Sequence, residues 1–295
     1  KGNGIEANKK EAAKYFEYAS NNGNAEAMLN YAAMLENGDG IEKNQSKSIQ
    51  YYKLSADNGN IESINKYASI LYTGDGIAIN KSEAVRYYKQ SSDKGDTNGL
   101  LKYGLMLYNG DGIEANKREA IECFKMAFDK EETEPSNDNF SILKLNDFSI
   151  VKKEELVFIY KILCDENNIN AMYKYASALY NGDGIEINKE ESAIYYEKAA
   201  KLGHIKSMKK YAYMLKHGDA IEINKEKAVY YFQMAANKWD KYAMNSYAIM
   251  LENGDGVEYN LEKAQDYYTF AIQINCIDSM KNYSKLLHKK DYFGY

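Results

Sequence analysis

Proline is almost missing from this chain. Pro135 stands alone among 295 residues, so nearly every stretch is free to be helical, because no ring blocks the preceding turn or removes an amide donor. Long apolar runs are also missing. No window approaches the roughly 18 consecutive apolar residues that a membrane-spanning helix needs, which excludes direct membrane insertion of this segment. There is no excess of basic charge: 38 Lys and Arg face 43 Asp and Glu, for a net charge of −5. A nucleic-acid binder that works by neutralising phosphates is therefore not expected. Histidine occurs only as His204, His217 and His288, and cysteine only as Cys123, Cys164 and Cys276. The cysteines share no regular spacing, which argues against a disulfide framework and favours a reducing compartment. No His-Glu-x-x-His, Cys-x-x-Cys, phosphate-cradling loop or Gly-x-Ser-x-Gly is present. The expectation is a chain with no catalytic residue, no metal site and no cofactor.

What is present is a repeat. Gly-Asp-Gly-Ile appears at 38–41, 74–77, 110–113 and 182–185, always in a register of 36 residues. Near-copies stand at 2–5, 218–221 and 254–257, while the slot at 146–149 reads Asn-Asp-Phe-Ser. Fixed self-similarity at this length means units that stack on their neighbours, because no unit can bury its apolar face alone.

The stretch 24–59 serves as the type unit. Asn24 caps a helix whose stripe is Ala27, Met28, Tyr31, Ala32 and Leu35, at helical period. Gly38 ends it, since glycine takes the left-handed conformation after a helix without steric cost. A second helix begins at Asn44, with stripe residues Ser48, Ile49, Tyr51, Tyr52, Ser55 and Ala56. Asn followed three residues later by Glu recurs at Asn8, Asn80, Asn116 and Asn188, a capping-box pattern. Helices are expected over 25–37, 46–57, 61–72 and 82–93, in the same phase beyond. The Leu35 slot is leucine in all eight copies through Leu287, the Phe16 slot is always aromatic, and the Ala32 slot is small in seven of eight. Small facing large lets two helices approach closely. Most of the 29 tyrosines are read as core.

These residues resemble the Sel1-like repeat, a relative of the tetratricopeptide repeat. Ala171, Tyr175-Ala176, Leu179 and Gly182-Asp183-Gly184-Ile185 match its first half; Ala193, Tyr195-Tyr196 and Ala199-Ala200 match its second. The resemblance covers essentially the whole chain. It implies an all-α fold, an α/α superhelix or solenoid of about eight 36-residue helix-turn-helix repeats. It also implies a non-catalytic scaffold or adaptor that binds a partner protein or extended peptide in a concave groove. The family includes adaptors of endoplasmic-reticulum-associated degradation, activators of chitin synthesis and bacterial host-interaction proteins. Two alternatives are a regulatory array attached to a catalytic domain outside this sequence, and a cysteine-rich secreted branch. The absence of repeat-spaced cysteine pairs counts against the second of these.

The repeat breaks once. Residues 1–129 form an N-terminal block, 130–153 a degenerate copy, 154–287 a C-terminal block and 288–295 a tail. The degenerate copy has lost both turn glycines and holds Pro135, the acids Glu131, Glu132 and Glu134, and the bulky Phe140. It is either a tolerated, decayed repeat or a hinge. Trp239 stands where other copies place a turn glycine, either as an exposed anchor or, more commonly for such a residue, folded back over the adjacent helix.

In tetratricopeptide-like superhelices the first helix of each unit lines the groove. In the type unit the groove positions are Glu26, Leu29, Asn30, Ala33 and Glu36. Stepping the Asn30 slot by 36 gives Lys66, Lys102, Asp138, Lys174, Lys210, Ser246 and Asn282, lysine in four of the eight copies, and Lys206 joins these lysines. Neighbouring slots add Tyr72, Tyr108, Asn109, Tyr173, Tyr180 and Tyr213. Such a groove suits an acidic extended peptide or a C-terminal carboxylate; the alternative is an ordinary solvated face. The chain begins mid-repeat at Lys1, so a preceding segment is expected. The expected location is the cytoplasm, with the endoplasmic reticulum lumen or membrane association through other segments as the alternative.

Overall fold

The structure is a computed structural model that describes residues 8–133 and 151–293. Among the described residues there are fifteen helices and no strand. The chain divides into two compact units, residues 1–152 and 153–295.

The first unit holds α1 (Lys9–Asn21), α2 (Ala25–Asn37), α3 (Gln45–Asp57), α4 (Ile61–Thr73), α5 (Lys81–Asp93), α6 (Thr97–Asn109) and α7 (Lys117–Thr133). The second holds α8 (Lys153–Asp165), α9 (Ile169–Asn181), α10 (Lys189–Lys201), α11 (Ile205–His217), α12 (Lys225–Ala236), α13 (Lys241–Asn253), α14 (Leu261–Gln273) and α15 (Ile277–Phe293). Within each unit every helix packs on the next in sequence. In α2–α7 and α9–α15, even-numbered helices of the first unit and odd-numbered helices of the second are the first helices of hairpins. Of the degenerate copy, residues 134–150, including Pro135, Phe140 and Leu143, lie outside the described residues.

The helix boundaries follow from capping. Asn8, Asn44, Asn80, Asn188, Asn224 and Asn260 each accept the N–H three residues on. The capping box takes an unusual form. The backbone N–H groups of Asn80 and Asn188 are already committed, to the carbonyls of Leu71 and Leu179, both at 2.9 Å. Glu83 and Glu191 therefore accept from the cap's side-chain amide instead, at 3.0 and 3.1 Å. The ever-present leucine thus binds twice, through its buried side chain and through its carbonyl.

First helices end at glycines with positive φ, among them Gly74 (78°) and Gly182 (77°). The second turn glycine is constrained twice over. Gly112 has φ 75°, and a Cβ there would stand 2.7 Å from the carbonyl carbon of Lys81, at the start of the preceding repeat's second helix. Ala220 occupies this slot in the second unit at φ 61°, a conformation that costs an L-residue about 1–2 kcal/mol.

The core contains the expected stripes. Tyr31, Ala32 and Leu35 are buried, as are Tyr175, Ala176 and Leu179. The tyrosine excess has a specific use: edge-to-face pairs inside five of the hairpins, the α6–α7 hairpin having Cys123 in place of the second tyrosine. Tyr31–Tyr51 and Tyr67–Tyr87 lie at 4.8 and 5.0 Å in the first unit, and Tyr175–Tyr195, Tyr211–Tyr231 and Tyr247–Tyr267 at 4.8, 5.2 and 4.8 Å in the second. Such pairs add about 0.5–1.5 kcal/mol each beyond area burial. One assignment needs correction. In α15 the buried residue is Leu286 (5% exposed), while Leu287 is 43% exposed; the helix packs mainly on α14, with a smaller contact to α13, and turns Leu286 into that contact.

Candidate partner-binding surface

The turn aspartate makes the seam between repeats. Thirty residues before it stands a lysine at the start of a second helix, and the pairs recur: Lys9–Asp39 at 2.6 Å and Lys81–Asp111 at 2.7 Å in the first unit. In the second unit they are Lys153–Asp183 at 3.3 Å, Lys189–Asp219 at 2.9 Å and Lys225–Asp255 at 2.7 Å. Gln45 replaces the lysine once and donates to Asp75 at 2.7 Å. The last residues of first helices complete the clasp. Tyr72 donates to Asp111 at 2.6 Å, Tyr180 donates to Asp219, and Lys216 lies 3.8 Å from Asp255. The Tyr180 hydroxyl, and then Lys189, hold the Asp219 carboxyl below the usual carboxylate range.

This seam changes the reading of several candidate groove residues. Tyr72 and Tyr180 are seam residues, with Lys81 and Lys189 over their rings at 5.2 and 4.7 Å. Tyr108 has Lys117 over its ring at 5.1 Å. Lys66 is bound to Glu36 at 2.9 Å, and Tyr52 donates to the same carboxylate at 2.7 Å. Lys102 is half-buried, and Asn109 is exposed at the end of α6.

In the second unit the candidates gather on α9 and α11. His204 caps α11: its Nδ1 accepts the Ser207 N–H at 3.2 Å, and its ring lies 4.8 Å from Tyr173. Burial first, then the nearby charges of Lys206 and Lys174, lowers its pKa to about 4, so the cap is a neutral imidazole. Lys210 stands 6.0 Å over the Tyr180 ring, and both Lys206 and Lys210 are exposed. Tyr213 is exposed and stacks on His217 at 4.1 Å. Lys209 and Lys216 face acids instead, Lys209 at 2.7 Å from Asp240. The second unit therefore places Lys174 and Lys206 near His204 at the start of α11, and Lys210 and Tyr213 further along the same helix.

Trp239 is 66% exposed at φ 64°, with its ring 6.4 Å from Phe270. It is an exposed residue rather than one folded away. Among the described residues no group of three or more His, Cys, Asp or Glu could hold a metal ion. Burial pushes the Cys164 thiol up to about 12 and raises Cys123 as well, which keeps both protonated at neutral pH. No helix of the described residues is long and apolar enough to cross a membrane.

Stacked helical hairpins joined by glycine turns, with a charged clasp at each junction, define an α/α repeat protein. The Sel1 repeat profile matches residues 1–24, 25–60, 61–96, 97–131, 169–204, 205–238 and 241–275, and the chain belongs to the Sel1 repeat family. Sel1 repeats generally mediate protein–protein interaction, and the family is typically non-catalytic. No curated protein matches the chain. Solved structures similar to it include a protective antigen present in uropathogenic Escherichia coli strains and displaying an SLR fold: 22% identity, 92% of this chain, TM-score 0.46. The chain spans 58% of that protein's length. A Sel1 repeat protein from Oxalobacter formigenes is 18% identical over 97% of this chain and 72% of its own, with TM-score 0.42. Helicobacter pylori cysteine rich protein B is 19% identical over 45% of this chain and 98% of its own, with TM-score 0.36.

Proposed function

We propose that this chain is a non-catalytic interaction scaffold whose partner carries an acidic extended segment, bound on the α9–α11 surface of the second unit. The supporting observation is the exposure of Lys206, Lys210 and Tyr213, spaced four and three residues apart along α11. The cap asparagines, turn aspartates and seam lysines are engaged in holding the stack. Lys206, Lys210 and Tyr213 are outside those three classes and lie exposed beside one another. Attraction between this surface and an acidic segment weakens as salt screens it.

The test is affinity capture from the source cell with mass spectrometry, using the native chain and two double variants. Lys174→Glu with Lys210→Glu reverses the surface. Lys198→Glu with Lys238→Glu makes the same charge change at exposed sites of the second helix and the turn. The first variant is expected to lose the salt-sensitive partner and the second to keep it. Equal loss, or no loss in either, contradicts the assignment.

A further inference from the structure

The repeat supplies its own control. Each copy gives a slot nearly the same backbone surroundings, so a slot that changes character between the units is not answering to the architecture alone. Two exposed slots of the second helices behave this way. In the second unit, the second residue of the helix is Glu154, Glu190, Glu226 and Glu262, all exposed. One turn further on, Phe158, Ile194 and Tyr230 are 41%, 52% and 56% exposed on α8, α10 and α12, while α14 holds an exposed Asp266. In the first unit the same slots hold Lys10 and Lys14 on α1, Ser46 and Gln50 on α3, Ser82 and Arg86 on α5, and Arg118 and Glu122 on α7, all exposed.

Helix stability does not explain the difference. Glutamate in a first turn suits the helix dipole, while Lys10 and Arg118 oppose it. Solubility does not explain it either, since three successive rungs of exposed apolar side chains work against it. The first-turn bases of the first unit and the exposed apolar row of the second each depart from local preference. The basic face also has apolar surface of its own: Tyr18, Leu54 and Met126, one turn beyond the second slot, are exposed. A surface recess of about 570 Å³ on α1 is lined by Lys10, Lys14, Tyr15 and Tyr18, together with Asn8 and Glu11.

We infer that the chain self-associates, with the basic second-helix face of the first unit in one copy docking on the acidic and apolar second-helix face of the second unit in another. Each face finds its complement within this one sequence, so a second copy is the occupant both fit. Charge steers and registers the contact, and the apolar rows supply the buried area. The faces lie on second helices, and the proposed partner surface lies on first helices, so the two proposals fail independently.

The experiment is sedimentation velocity of the full chain over a concentration series at low and high salt. The native chain is expected to associate reversibly, less so at high salt. Two charge-reversed chains follow: one with Lys10, Lys14, Arg86 and Arg118 changed to Glu, the other with Glu154, Glu190 and Glu226 changed to Lys. Each alone is expected to lose at least about tenfold in association constant, equivalent to about 1.4 kcal/mol. Mixed, they present opposite charges to each other, and association is expected to return. Ile194→Ser with Tyr230→Ser weakens association without any charge change and covers the case of a reversed chain that fails to fold. A native chain that stays monomeric at both salts overturns the inference. So do reversals that leave association intact, or folded reversed chains that fail to associate when mixed.

Discussion

Lys66 in the first unit and Lys210 in the second occupy the same position of their repeats and have different surroundings. The residue thirty positions earlier decides this. For Lys66 it is Glu36, whose carboxylate takes the ammonium at 2.9 Å. For Lys210 it is Tyr180, whose hydroxyl is committed to Asp219 and which offers the ammonium only its ring, at 6.0 Å. In a stacked array the availability of a side chain is set by the neighbouring repeat as much as by its own helical phase. The turn slot teaches the same lesson: Gly112 and Ala220 are equivalent in sequence position, but one satisfies its positive φ freely and the other bears the strain.

The largest effect is expected where the two units are alike. Ala32 and Ala212 are both fully buried at the small slot, so a phenylalanine at either overpacks a helix pair and destabilises by about 3 kcal/mol. Thermal unfolding of Ala32→Phe and Ala212→Phe checks this, and a melt matching the parent would break the assignment of helix faces. The next comparison exchanges the turn residues. Gly112→Ala adds positive-φ strain and a close approach to Lys81, about 2 kcal/mol in all. Ala220→Gly relieves strain and is expected to raise stability by up to about 1 kcal/mol. Denaturant titrations that moved in the same direction for both would remove the physical basis of the glycine rule.

A third difference concerns pH. The first unit caps its first helices with Asn24, Asn60 and Asp96; the second uses Asn168 and Asp240 on α9 and α13 but His204 on α11. Its folded pKa, about 4, lies below the ordinary histidine value of about 6.5. The sign follows: unfolding binds a proton in this window, so the contribution is complete above pH 6.5 and lost as pH falls toward 4. The expected loss is about 3 kcal/mol at pH 4, and His204→Asn should flatten that part of the stability profile. An unchanged profile would show that the cap tolerates the charged ring.

The smallest effect belongs to the seam. Asp219→Asn leaves hydrogen-bonding capacity but removes the charge that faces Lys189, at a cost of about 1 kcal/mol or less. Because the Asp219 pKa is lowered in the fold, this contribution is present above the ordinary carboxylate pKa and lost as pH falls below it. Asp111→Asn should behave alike in the first unit. A much larger loss in one unit would show that its seam carries more than a partly exposed ion pair.

Much of the fold was legible because its determinants are local. The stripe through Tyr31 and Leu35, the caps at Asn44 and Asn188 and the glycine stops all act within a few residues. The observed α2 and α3, Ala25–Asn37 and Gln45–Asp57, fall within one residue of the expected bounds. The seam was not legible, because Asp111 meets Lys81 and Tyr72 across repeats and looks locally like a turn residue. That is why Tyr72 and Tyr180 were read as groove residues: their phase does lie off the buried stripe, but the next repeat's turn comes up to meet them. Leu287 misled for the opposite reason, since its slot assumes contacts that α15 replaces with Leu286. The cluster around His204 was only half visible. Lys174 and Lys210 follow the period, whereas the histidine beside Tyr173 replaces an ordinary cap.

The central claim is that the turn aspartates and the lysines paired with them hold the stack, while the lysines of the α9–α11 surface recognise the partner. It is tested most directly by measuring melting temperature and partner capture on the same preparations of two chains: Asp183→Asn with Asp219→Asn, and Lys174→Glu with Lys210→Glu. The account predicts that the aspartate variant melts lower and still captures the partner at a temperature where it remains folded, while the lysine variant melts like the native chain and captures nothing. A lysine variant that melts lower, or that keeps its partner, would contradict it.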